Sequence, residues 1–162
     1  MYRFVAAFVL AAALTGTAAV PARAAVHAGE AAPAFSLPAL NGGSLSLERF
    51  KGKPVYLNFF ASWCGPCNDE APAVEAFFKK YRAKGFTTIG IDYLEEKPSA
   101  ASFAKKYGWS FPIALDDGSA GKAFGVIGLP VHVFIDKAGK VSEIRYGEMD
   151  PPDIEEAIKK IL

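Results

Sequence analysis

Cysteine and histidine are scarce in this chain: 162 residues contain two of each. A structural zinc site wants four ligands, usually two Cys-x-x-Cys pairs or one pair with two histidines. His27 lies in an Ala/Gly/Pro-rich stretch and His132 in a distant apolar run, so neither stands near the cysteines in sequence. Two cysteines also exclude a scaffold stapled by several disulfides. Charge excess is missing as well, with 18 basic against 17 acidic residues. That balance argues against a nucleic-acid partner, which favours a basic surface. Neither an internal repeat nor a low-complexity tract follows the N-terminal segment. What remains is 51% hydrophobic and 22% charged, the balance of one globular domain with a single core.

Residues 1–24 differ from the rest. Arg3 precedes an apolar run, Phe4 to Leu14, small residues end the segment, and Asp and Glu do not occur. The run falls short of the roughly 20 residues that span a bilayer. Ala22-Arg23-Ala24 fits a small-x-small cleavage site, so 1–24 reads as an export signal cut before Ala25. An uncleaved N-terminal anchor is the alternative, because Phe4 to Val20 is nearly free of polar groups. Export implies the periplasm, where disulfides persist.

Residues 25–32, Ala/Gly/Pro-rich, read as a flexible lead-in, and 33–162 as one domain. Asn41-Gly42-Gly43 between two short alternating runs predicts a hairpin. Residues 54–60, "PVYLNFF", form an apolar run rich in β formers and predict a buried strand. From Cys64 the period turns helical through Ala71, Val74, Phe77, Phe78 and Tyr81, with Pro72 inside and Gly85 as the stop. Lys79, Lys80, Arg82 and Lys84 read as the solvated face of that helix. A strand follows at 86–93, then a helix with Ser99 as its candidate cap and Gly108 as its stop. Residues 111–117 are extended and 118–126 form a brief helix at most. Two runs, 130–136 and 141–147, flank a turn at Gly139, and a helix opening on Pro151 and Pro152 closes the chain. The order describes an α/β fold: a mixed sheet with helices on its faces.

Both cysteines sit in "WCGPC", residues 63–67. Such a pair can be half of a metal site, a static bridge or a redox couple. A bridge closing so small a loop contributes little by chain entropy. Cys64 falls at the start of the predicted helix, where backbone N–H groups lack partners and the helix dipole adds partial positive charge. Both favour a thiolate, which makes Cys64 the candidate nucleophile and Cys67 its partner. Pro66 costs little there, since its missing N–H has no acceptor in a first helical turn.

"WCGPC" after a buried strand, with Pro72 eight residues beyond Cys64, resembles thioredoxin. The longer stretches "FSLPALNGGSLSLERFKGKPVYLNFFASWCGPCNDEAPAVEAF" and "GLPVHVFIDKAGKV" are similar to the exported TlpA/ResA branch of that superfamily, over nearly all of 33–162. The resemblance implies a thioredoxin-like fold with an N-terminal β-hairpin and a central helix–strand insertion near 94–116. It implies a protein-disulfide oxidoreductase in which Cys64 attacks, Cys67 resolves, and Pro130 is a cis-proline beside them. Glu70 takes the place of the branch's carboxylate, a proton acceptor for Cys67, while Asn58 replaces the buried Asp of thioredoxin itself. Trp63, expected to pack beside the disulfide, joins Gly65, Pro66 and the Leu129 backbone as the substrate-facing set. Trp109 is expected to pack within the insertion. Peroxiredoxins share the architecture, but Leu57 and Ala61 stand where their motif has Pro and Thr or Ser. His132 departs from the branch and reads as a strand histidine with a structural partner, a pH-tuned site residue being the alternative. No cofactor or metal is implied. The implied partners are protein thiols and disulfides and a membrane electron donor of the DsbD or CcdA kind, for a monomeric enzyme. The family mostly reduces exported targets, such as haem-site cysteines of apocytochrome c or copper-site chaperones. A disulfide-donating oxidase or isomerase, and a binding module with a static bridge, are the rival readings.

Overall fold

A computed structural model describes residues 25–162. The expected export signal or anchor, residues 1–24, lies outside the described residues. The elements run β1 (Ser36–Pro38), β2 (Ser44–Ser46), β3 (Val55–Phe60), α1 (Gly65–Tyr81), β4 (Thr87–Tyr93), α2 (Lys97–Tyr107), β5 (Ile113–Asp116), α3 (Ser119–Phe124), β6 (Val131–Ile135), β7 (Val141–Tyr146) and α4 (Pro151–Ile161). Five strands make a mixed sheet in the order β5-β4-β3-β6-β7. The β5/β4 and β4/β3 pairs are parallel, and β3/β6 and β6/β7 are antiparallel.

The apolar run of β3 is continuous because both its faces are covered. Val55, Leu57 and Phe59 join one core with Ile89, Ile91, Val131, Val133 and Phe124. Tyr56 and Phe60 join the other, which Ala71 and Val74 of α1, Phe103 of α2, and Ile154 and Ile158 of α4 complete. So α1, α2 and α4 cover one face, while α3 and the β1–β2 hairpin cover the other. The hairpin pairs Leu37 with Leu45, and both side chains enter the second core.

The central insertion adds α2 beside α1 and β5 at the sheet edge along β4. Gly85 and Gly108 end helical segments at φ 83° and 64°, the left-handed region that glycine enters without steric cost. Helix α2 starts at Lys97 with Glu96 as its N-cap, so Ser99 lies inside the helix and is not its cap. Pro98 in the first turn explains the earlier start, because it costs nothing where N–H groups lack partners anyway.

The lead-in is not loose. Val26 is buried and its N–H donates to the Ala123 carbonyl at 3.1 Å. Gly29 N–H donates to Val141 O and Val141 N–H to Glu30 O, at 2.7 and 2.9 Å, and Ala32 N–H reaches Gly139 O. Residues 25–32 therefore lie along the β6–β7 hairpin. Small residues let the backbone approach closely, and that composition is what made the stretch read as flexible.

Candidate active site

Central strand β3 ends on the side of the sheet where the parallel strands β4 and β5 also end, and Ala61 to Trp63 turn the chain into α1. Cys64 is the N-cap of α1, and its sulfur accepts the Cys67 N–H at 3.2 Å. Cys64 and Cys67 form a disulfide with their Cα atoms 5.3 Å apart. Both are buried, whereas Gly65 and Pro66 between them are exposed. The corner is held by side chains that the sequence did not single out. Asn68 Nδ2 donates to the carbonyls of Ser62 and Cys64 at 3.0 and 2.8 Å. Its Oδ1 accepts from Tyr107 OH and Lys106 Nζ of α2 at 2.6 and 3.0 Å. Glu95, after β4, accepts both the backbone N–H and the hydroxyl of Ser62.

The Leu129–Pro130 peptide is cis, and Pro130 immediately precedes β6. Leu129 packs against the cluster that contains Cys64, Cys67, Ala61 and Met149. Glu70 lies one helical turn beyond Cys67 and is 5% exposed. One of its oxygens, Oε1, accepts the Met149 N–H, and the other, Oε2, has no hydrogen-bond partner. His132 Nε2 stands 3.4 Å from Oε2. Glu70 therefore presents a buried carboxylate oxygen without a hydrogen bond one turn of α1 beyond Cys67.

Trp63 does not pack into the core: it is 70% exposed. The apolar space at this end is filled by Phe60 and Phe103, and by Trp109 4.7 and 5.0 Å from their rings. Trp109 thus binds the insertion to α1, where its indole N–H donates to Ala71 O at 3.0 Å. Trp63 and Ile127, 70% and 95% exposed, are large apolar side chains near the two ends of the site in sequence. Asn58 lies in the core and donates to Tyr56 OH at 3.0 Å. His132 is fully buried with Tyr56 OH 2.7 Å from Nδ1, so it has the structural partner expected of it, and it also lies beside Glu70.

Asp92 faces Phe60 across the β3/β4 ladder, fully buried, with neither carboxylate oxygen hydrogen-bonded. Burial pushes its carboxyl up to about 8, and neighbouring Glu95 adds to the rise. The folded state therefore holds a proton there that the unfolded chain gives up from about pH 4. The stability contributed by this neutral carboxyl is full below about pH 4 and is lost as pH rises toward 8. Asp92→Asn carries an amide that cannot ionise. Its melting temperature should match the parent near pH 4 and exceed it by roughly 3–8 °C at pH 8. A difference that stays flat across that range in thermal scans would contradict the assignment.

The Redoxin family model matches residues 27–161. The thiol-disulfide oxidoreductase ResA of Bacillus thuringiensis subsp. konkukian is 41% identical over 134 residues, covering 82% of this chain and 78% of that one. A putative thiol:disulfide interchange protein DsbE from Chlorobium tepidum superposes with a TM-score of 0.79 at 33% identity, over 85% of this chain and 99% of that one. The structure described as MTB dsbF in its mixed oxidized and reduced forms superposes at 0.74 with 31% identity, over 79% and 95% of the two chains. With its Cys-x-x-Cys pair at a helix N-terminus on a thioredoxin-like sheet, the chain belongs to the Redoxin family, among the ResA-like thiol-disulfide oxidoreductases that act on protein thiols and disulfides.

Proposed function

We propose that the protein works in the periplasm as a monomeric reductant of disulfides in exported proteins, such as cytochrome c maturation or copper-site targets. A membrane donor of the DsbD or CcdA type would return it to the dithiol form. In the reduced protein the Cys64 thiolate attacks a substrate disulfide. A bond forms between Cys64 Sγ and one substrate sulfur, and the other substrate sulfur leaves as a thiolate. Cys67 then gives its proton to Glu70 Oε2 and attacks Cys64 Sγ. The Cys64–Cys67 bond closes, the second substrate thiolate leaves, and two electrons have passed to the substrate. Exposed Trp63, Gly65 and Pro66, with the Leu129 backbone before cis-Pro130, form the surface for an extended substrate segment.

The observation that carries this reading is the contact at the helix N-terminus, where the Cys67 N–H points at the Cys64 sulfur 3.2 Å away. A fixed donor stabilises negative charge on Cys64 and not on Cys67. The experiment is equilibration in glutathione or dithiothreitol buffers, with thiols counted by alkylation and mass. A reductant should open with a potential nearer the about −270 mV of thioredoxin than the about −120 mV of DsbA. A value at the oxidising end would reverse the direction of electron flow. A bridge that never opens would remove the catalytic reading.

A further inference from the structure

Tyr56, Asn58, His132 and Glu70 form one buried polar chain inside an otherwise apolar layer. Strand register builds it: Asn58 pairs with His132 across β3 and β6, and Tyr56 shares the face of Asn58 two residues away. Asn58 Nδ2 donates to Tyr56 OH at 3.0 Å, and Tyr56 OH lies 2.7 Å from His132 Nδ1. At its other end the imidazole meets two acceptors, Gly147 O at 3.2 Å and Glu70 Oε2 at 3.4 Å from Nε2.

These partners fix where the protons are. Burial and the nearby Glu70 charge push the Tyr56 hydroxyl well above its ordinary range, against a smaller opposing effect of the Asn58 hydrogen bond, so Tyr56 keeps its proton. Because Tyr56 oxygen already accepts from Asn58, its own O–H is the one to donate to Nδ1. The imidazole proton then sits on Nε2, the only arrangement in which Gly147 O and Glu70 Oε2 meet a donor rather than a lone pair. The loop after β7 closes the group, as Gly147 supplies the carbonyl beside Nε2 and Met149 the N–H on Glu70 Oε1.

We propose that His132 is a positioning residue for Glu70: fixed by Tyr56 as the Nε2–H tautomer, it turns a partial positive charge toward Oε2, and so holds the carboxylate oriented to receive the Cys67 proton. The proposal rests on Glu70 as the proton acceptor in the resolving step. A carboxylate removed from water needs such donors in place of its hydration. Oε1 has one, and the Nε2–H serves Oε2 without forming the hydrogen bond that would occupy its free lone pair. Other titratable groups around the carboxyl are Tyr56 on β3 and Cys67 on α1. Glu148 and Asp150, flanking Met149, are exposed, as is Arg145, which lies opposite His132 on β7 and pairs with Glu143.

The test follows the lifetime of a mixed disulfide between Cys64 and a model peptide, by acid quench and intact mass, from pH 5.5 to 9. His132→Leu should lengthen that lifetime about tenfold at pH 7, the scale of a lost donor to a charged group. It should also move the midpoint of the pH profile upward by about one unit, with the first attack unchanged. His132→Gln, which can set an amide N–H where Nε2–H stood, should stay within about threefold of the parent. In a Glu70→Gln background, adding His132→Leu should change nothing further. Slowing by Glu70→Gln without slowing by His132→Leu would overturn the role of His132 and leave Glu70 intact. Multiplying effects in the double variant would also overturn it, since His132 would then act elsewhere. A resolving rate untouched by Glu70→Gln would remove the Glu70 reading first and this one with it. Should His132→Leu not fold, Tyr56→Phe keeps the ring and deletes the hydrogen that fixes the tautomer. It should slow resolution about threefold with the same upward shift, and an unmoved profile there counts against the proposal.

Discussion

A Cys67→Ser variant accumulates mixed disulfides with its substrates, while Cys64→Ser accumulates few, and the yields differ by at least about tenfold. Cys64 Sγ receives the Cys67 backbone N–H, and a serine at 67 keeps that N–H. The attacking thiolate of the Cys67→Ser variant is therefore as well stabilised as in the parent. What disappears is the second sulfur, so the intermediate has no internal route to release. In Cys64→Ser the remaining thiol sits in the first turn of α1, as buried as Cys64 but without a facing N–H at its sulfur, so it attacks slowly. Turnover of a model disulfide should fall to background in both variants, which makes adduct yield the readout that separates the roles. Non-reducing gels and mass spectrometry of cells expressing each variant from the full sequence would measure it. Equal yields would merge the two roles, and the reverse order would exchange them. No adduct from either would leave the pair a static bridge.

The exchange chemistry was legible because it depends on adjacent residues. Cys64, Cys67 and Pro66 fall within one turn, and the helix that starts there follows from a 3.6-residue period that Ala71, Val74 and Tyr81 keep in the core. Strand β3 announced itself by an apolar run with no polar interruption except Asn58. Less visible were the carboxylates that tie distant segments together. Glu75 on α1 reads as a surface helix residue, yet it is buried and accepts the N–H and hydroxyl of Ser110 at 2.9 and 2.6 Å. Glu95 does the same for Ser62, and Asp116 for the N–H groups of Ala120 and Gly121 at the start of α3. Each needs a partner 4 to 35 residues away, and only the completed fold brings the longer-range partners together. Asp92 gave no sign of being buried, because a carboxylate is rarely fully buried without a partner. The lead-in misled for the opposite reason: small residues suggest freedom, but here they allow tight pairing with the last hairpin. His132 could be placed on a strand but not beside Glu70. That contact depends on β6 register, on the position of α1 across the sheet face, and on the loop that follows β7.

Glu70→Gln should leave the first attack nearly intact and lengthen the life of the mixed disulfide by about 10- to 100-fold near neutral pH. The substitution keeps size and one carbonyl oxygen, which can still accept the Met149 N–H. It deletes the oxygen that no donor occupies, the one available to a proton from Cys67. Proton-transfer help of this kind is typically worth about 10²–10⁴-fold when fully engaged, and Glu70, 5% exposed, is shielded from the water that would otherwise substitute for it. The same burial separates this expectation from that for a surface glutamate, whose loss should change the rate by less than about twofold. The effect should fade toward pH 9, as Cys67 passes the range near about 8.5 where a free thiol ionises unaided. Thermal scans should move by only a few degrees, since a buried hydrogen bond is retained and a buried charge is removed. Rapid mixing of the reduced protein with a peptide disulfide, quenched in acid and resolved by mass, gives both steps: the rise of the adduct reports Cys64 and its decay reports Cys67. A decay rate equal to the parent's from pH 6 to 8 would leave the reaction to two cysteines and the cis-proline loop, with Glu70 serving only to anchor Met149 beneath them.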